Sequence, residues 1–126
     1  MEVNQLPILG QVIKRIAITD DKQSIFFFME NGDLYEMTHD QDCCEVVEID
    51  DIEGEIYDMQ YYTLTQAEEV INDNPEEYKD DYDSHTWTFY KFANFNGYVT
   101  IKWHGTSNGY YSETVSFKLL GTLKME

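Results

Sequence analysis

The sequence predicts an α+β domain that is mostly β, with an antiparallel hairpin, a three-stranded meander and one short main helix. Three observations carry this expectation. Apolar residues alternate along "VIKRIAIT" (12–19) and on both sides of Asn31-Gly32. The alternation returns in three segments over 85–118. Between these regions, around Thr65–Asn72, the apolar spacing changes to that of a helix. A chain of 126 residues fits a single domain, 1–126, able to bury about two-thirds of its unfolded surface.

Each element has its own signal. "SIFFFMENGDLYEMT" (24–38) places two β-prone runs around Asn31-Gly32, residues that tolerate the positive φ of a tight hairpin turn. "CCEVVEID" (43–50) reads as a further strand, with Val47 and Ile49 inward and Glu45 and Glu48 exposed. Thr65 is placed to cap a helix, and Glu68 three residues later completes a capping box. Ala67, Val70 and Ile71 form the apolar face of that helix, and Pro75 ends it. The stretch 72–84 that follows has no periodic apolar face and reads as an acidic loop. "HTWTFYKFA" (85–93), "YVTIKWH" (98–104) and "YYSETVSFK" (110–118) then form the meander, separated by turn residues at 94–97 and 105–109. Gly105 and Gly109 are read as supplying backbone freedom at the second turn.

The charge is concentrated. Of 25 acidic residues, 17 lie between Asp40 and Asp83, opposed there only by Lys79. That field repels phosphate, so direct nucleic-acid binding is not expected. It repels anionic membrane surfaces as well, and no apolar run approaches the ~20 residues of a membrane span. The start, "MEVNQLPILGQVIKR", lacks the basic region and unbroken apolar core of a signal peptide. The partner this charge implies is a basic protein.

Catalytic and metal chemistry find little support. Cys43 and Cys44 are adjacent, which suits neither a mutual bridge nor a tetrahedral zinc site, so both thiols are expected reduced and no cofactor or metal is expected. The acids of 48–55 do not follow the order of a calcium loop. There is no glycine-rich phosphate loop and no Gly-x-Ser-x-Gly elbow, and the chain is not expected to be an enzyme. Two surfaces remain as candidates. The acidic one comprises Glu68, Glu69, Asp73, Glu76, Glu77, Asp80, Asp81 and Asp83. The aromatic one is the 103–111 tip, with Trp103, His104, Asn108, Tyr110 and Tyr111. Alternation puts Val99, Ile101 and Trp103 on one face and Tyr98, Thr100, Lys102 and His104 on the other. Aromatics therefore stand on both faces of the sheet, through two-sided packing or through recognition.

Two motifs, "HDQDCCE" (39–45) and the run from Trp103 to Ser112, resemble those of a family of small proteins of unknown function carried by bacteriophages and prophages. The resemblance spans most of residues 24–117 and carries no site assignment. It implies a cytoplasmic accessory protein of the infected host cell. With the charge, it favours an interaction protein that inhibits or modulates a basic host protein, for example a defence nuclease, by imitating DNA. The alternative is a nucleotide-binding or nucleotide-sequestering protein using the aromatic 103–111 tip.

Overall fold

The computed structural model describes residues 1–73, 84–108 and 111–123. In chain order the strands are β1 (Glu2–Gln5), β2 (Ile13–Ile18), β3 (Ser24–Met29), β4 (Asp33–Thr38), β5 (Val46–Glu53), β6 (Gln66–Asp73), β7 (Ser84–Asn94), β8 (Gly97–Ser107) and β9 (Ser116–Thr122). A 3₁₀ turn at Ile56–Met59 follows β5. Two antiparallel sheets result, one ordered β1-β6-β7-β8-β5 and the other β2-β3-β4-β9.

Their inner faces meet in one apolar core. Phe27 from β3 lies 5.7 Å from Phe92 of β7, ring centre to ring centre. The Trp103 indole N–H of β8 points at the Met37 sulfur of β4, 3.3 Å away. Ile8, Ile13, Ile25, Met59, Leu64 and Ile101 fill the space around these pairs with essentially no exposure. Burying a side chain of this kind contributes roughly 1.5–3 kcal/mol. The domain is thus a β-sandwich.

The expected hairpins form. β3 and β4 are joined by a turn in which Gly32 has φ +96° and donates its N–H to the Met29 carbonyl at 3.0 Å. β7 and β8 pair along their whole length, from Ser84–Ser107 to Asn94–Gly97.

The α+β expectation is wrong, because the fold is all-β: residues 66–73 form a strand, and no α-helix occurs among the described residues. A helix this short is marginal in water. As a strand, every residue from Gln66 to Asp73 pairs with β7, and Glu68 to Ile71 pair with β1 as well. The Thr65 N–H, expected at a helix cap, instead donates to the Ala93 carbonyl at 2.9 Å. Two ladders, plus the β-branched Val70 and Ile71, outweigh a local capping signal.

The meander is also shorter than expected. β8 runs through Gly105 to Ser107, and the next strand leaves this sheet to pair with β4. Gly105 is therefore a buried strand residue and not a turn residue. A Cβ there would stand 2.8 Å from the Glu113 Cβ and 3.2 Å from Val47 Cγ2, so glycine is set by close approach and not by turn geometry. Of the expected acidic loop, Asp73 ends β6 and Ser84 begins β7, while 74–83, including Pro75, lie outside the described residues. Gly109 lies outside them too.

Overpacking explains a difference between two strand glycines. Gly105→Ala is expected to lower unfolding stability by about 1–3 kcal/mol. Gly121→Ala, where a Cβ meets nothing within 4 Å, is expected to be near neutral. Urea unfolding followed by tryptophan fluorescence separates the two.

Candidate functional site

The chain changes sheet between β4 and β5, and changes back between β8 and β9. The first crossover is the "HDQDCCE" stretch. Glu45, expected exposed, is buried at 3% exposure. Its carboxylate accepts the N–H of Asp42 at 2.8 Å and of Cys43 at 2.9 Å, and a bond from His39 Nε2 at 2.8 Å. The other ring nitrogen, Nδ1, lies 2.7 Å from the Thr114 carbonyl on the second crossover. The ring is thus clamped between two oxygens, one on each crossover. The donors, backbone N–H groups of Asp42 and Cys43 first and the His39 ring last, hold the Glu45 carboxyl down at about 2 against burial.

The cysteines differ from expectation. The structure joins Cys43 and Cys44 as a disulfide between neighbours, both exposed, instead of two free thiols. They sit in the turn whose Asp42 and Cys43 N–H groups bond to Glu45. Among the described residues no cluster of His, Cys, Asp or Glu is arranged to hold a metal ion.

Acidic residues segregate between the sheets. The strands of the five-stranded sheet carry eight carboxylates against Lys91 and Lys102. Those of the four-stranded sheet carry Asp33 and Glu36 against Lys14, Arg15 and Lys118. Four of the eight, Glu48, Asp50, Asp51 and Glu53, stand exposed on β5, a free edge of its sheet. A bulge between Ile49 and Asp51 sets Asp50 out of register. The Lys102 ammonium donates to Glu53 at 2.6 Å, and its pKa is raised by that bond, then by the charges of Glu53, Asp51 and Asp50 against desolvation. The edge thus presents a concentrated negative field.

The other expected acids have different positions. Glu68 faces outward opposite Lys91. Glu69 turns inward and accepts the Tyr90 hydroxyl at 2.7 Å, and burial together with Glu69 raises the Tyr90 pKa. Asp73 accepts the Thr86 hydroxyl at 3.1 Å. Glu76, Glu77, Asp80, Asp81 and Asp83 lie outside the described residues.

Of the described residues of the aromatic tip, Trp103 and His104 stand on opposite faces of the sheet. Trp103 is 1% exposed and belongs to the core, because its β8 register faces the four-stranded sheet. His104, one residue on, faces outward, 4.5 Å from the Trp87 ring, with its Nε2 3.2 Å from His85 Nδ1. Asn108 is exposed, Tyr111 is half-buried on the second crossover, and Tyr110 lies outside the described residues. A row sequence reading missed joins Val70, Trp87, Phe89 and His104 on the outer face of the five-stranded sheet. Its alternation was legible on β7, but β6, read as a helix, hid Val70.

Fold and site together define a small acidic β-sandwich whose negative charge gathers on one sheet and its free edge. A family model matches residues 7–117, and the chain belongs to that family, described as Domain of unknown function (DUF7448). Neither a curated protein nor a solved structure matches the chain. No helix among the described residues is long and apolar enough to cross a membrane.

The buried Glu45 sets an acid dependence. Its carboxyl is depressed in the folded chain, so its stabilisation is fully present above about 4.5, the ordinary value, and is lost as pH falls toward about 2. Urea midpoints measured at pH 6 and pH 3 should fall further in the natural protein than in Glu45→Gln. Parallel falls would show that Glu45 is not a principal acid-sensitive group.

Proposed function

We propose that this domain is an accessory protein of phage-infected cells that binds a basic host protein, such as a DNA-handling defence nuclease, through the β5 edge of its five-stranded sheet. The observation that supports this reading is the charge segregation: exposed carboxylates at Glu48, Asp50, Asp51 and Glu53 line one free edge, while the opposite sheet is slightly basic. Side chains on one face of a strand repeat every ~6.7 Å, close to two phosphate steps of one DNA strand at ~3.4 Å each. Asp51 and Glu53 have that relation, beyond the bulge from Glu48. Edge carboxylates also discourage sheet-to-sheet aggregation, and a basic cleft is the partner that gains from meeting them. A nucleotide ligand at the 103–111 tip is the weaker reading, since Trp103 is committed to the core.

Displacement of labelled duplex DNA from a basic bacterial nuclease tests the proposal. The natural protein should displace the DNA with an association rate that falls as salt rises. The double variant Glu48→Lys, Asp50→Lys should need about tenfold or more protein at low salt, and the difference should shrink at high salt. Equal displacement by the two proteins at low salt would leave the edge as a solubility feature.

A further inference from the structure

The inward positions of the five-stranded sheet change chemistry along its length. On β7, Phe92 and Tyr90 are succeeded on the same face by Thr88 and Thr86, 2% and 9% exposed. On β8, Ile101 and Trp103 are succeeded by Gly105 and Ser107, and on β6 Ile71 is succeeded by Asp73. One end of the inner layer is therefore built from hydroxyls and carboxylates where hydrocarbon would be the ordinary filling.

A cavity of about 370 Å³ opens at that end, between β6–β7 and the 111–115 crossover. This is within the range of small-molecule sites. Glu2, Asp73 and Glu113 line it, and among the described residues its lining includes no Lys, Arg or His. Two hydroxyls already serve the acids: Thr86 donates to Asp73 Oδ1 at 3.1 Å, and Ser107 of β8 donates to Glu113 Oε2 at 2.6 Å. Glu113 is 7% exposed, and its second oxygen, Oε1, is buried with no hydrogen-bond partner. A buried carboxylate oxygen without a donor is costly and rare. Among its described residues the cavity is thus rich in acceptors and negative charge, with no cationic side chain to balance them.

The occupant that completes it brings N–H donors and positive charge. A hard metal ion needs a compact shell of oxygens, and the described acids form no such group. An ammonium or guanidinium spreads three to five donors over a wider radius. We propose that this cavity binds a small organic cation carrying a primary ammonium or guanidinium group, with one N–H on Glu113 Oε1 and others directed to Asp73 and Glu2. The site lies toward the β1 edge, across the sheet from β5, and stands independently of the partner-binding reading.

Calorimetric titration with methylguanidinium and with n-butylammonium tests this, using Mg²⁺ and n-butanol as comparison titrants. At least one of the two cations should bind saturably at one site per chain, and neither comparison titrant should do so. Glu113→Gln keeps the side-chain volume and should weaken that binding about tenfold or more. Asp73→Asn, on the exposed rim, should weaken it to a smaller degree and guards against a folding defect in the first variant. Asp20→Asn, which removes one charge in the distant β2–β3 turn, should leave it unchanged. The proposal is overturned by absent saturation with both cations, by preferential Mg²⁺ binding, by unchanged affinity in both cavity variants, or by an equal loss in Asp20→Asn.

Discussion

The His39–Glu45 pair is the interaction on which this end of the sandwich depends, because it ties together two of the three places where the chain changes sheet, β4–β5 and β8–β9. Glu45 closes the β4–β5 crossover on its own backbone, and His39 reaches across to the Thr114 carbonyl of the β8–β9 crossover. The Tyr90 hydroxyl contacts the next carbonyl, that of Val115, at 3.4 Å. Without those ties, the two sheets would be joined at this end by unanchored loops. Burying a carboxylate is costly, and here it is offset by the Asp42 and Cys43 N–H groups and the His39 ring, which all bond to Glu45. The 39–45 stretch is the first of these crossovers, which gives His39 and Glu45 a structural reason independent of any partner.

The rest of the charge is arranged around that frame. The apolar core separates an acidic sheet from a slightly basic one, so the large negative charge has direction as well as size. At the free β5 edge the carboxylates and the bulge expose a strand without inviting another strand to pair with it. At the polar end, by contrast, the Glu113 carboxylate is buried, where hydration is reduced and its unpaired oxygen matters more, while Glu2 and Asp73 stay exposed. Surface acids and enclosed acids in one domain thus have different energetics, and membership of a common acidic stretch does not distinguish them.

Local chemistry made much of the β structure legible. Gly32 marked the β3–β4 turn, Asn94 to Gly97 marked the β7–β8 turn, and the set Val99, Ile101, Trp103 was correctly separated from Lys102 and His104. What misled was the short segment at 65–72. Its capping residues satisfy a helix rule, yet a strand there gains two ladders from β1 and β7, far away in sequence. Glu45 misled in another way: a glutamate at a strand entrance reads as solvent-facing, and only the turn at 42–43 and the ring of His39 make its burial tolerable.

The sequence by itself determined that the chain is one strongly acidic domain rich in antiparallel strands, where its hairpins turn, and which residues alternate on β7 and β8. Those properties reside in composition and in the two-residue period of a strand, both of which are local. The tertiary structure alone decided that 66–73 is a strand, that β9 joins the opposite sheet, that Trp103 is core, and that Glu113 has an oxygen buried without a donor. Periodicity states that a segment has two faces, but it does not name the partner each face meets. That choice is made by long-range pairing, when two sheets close over a common core.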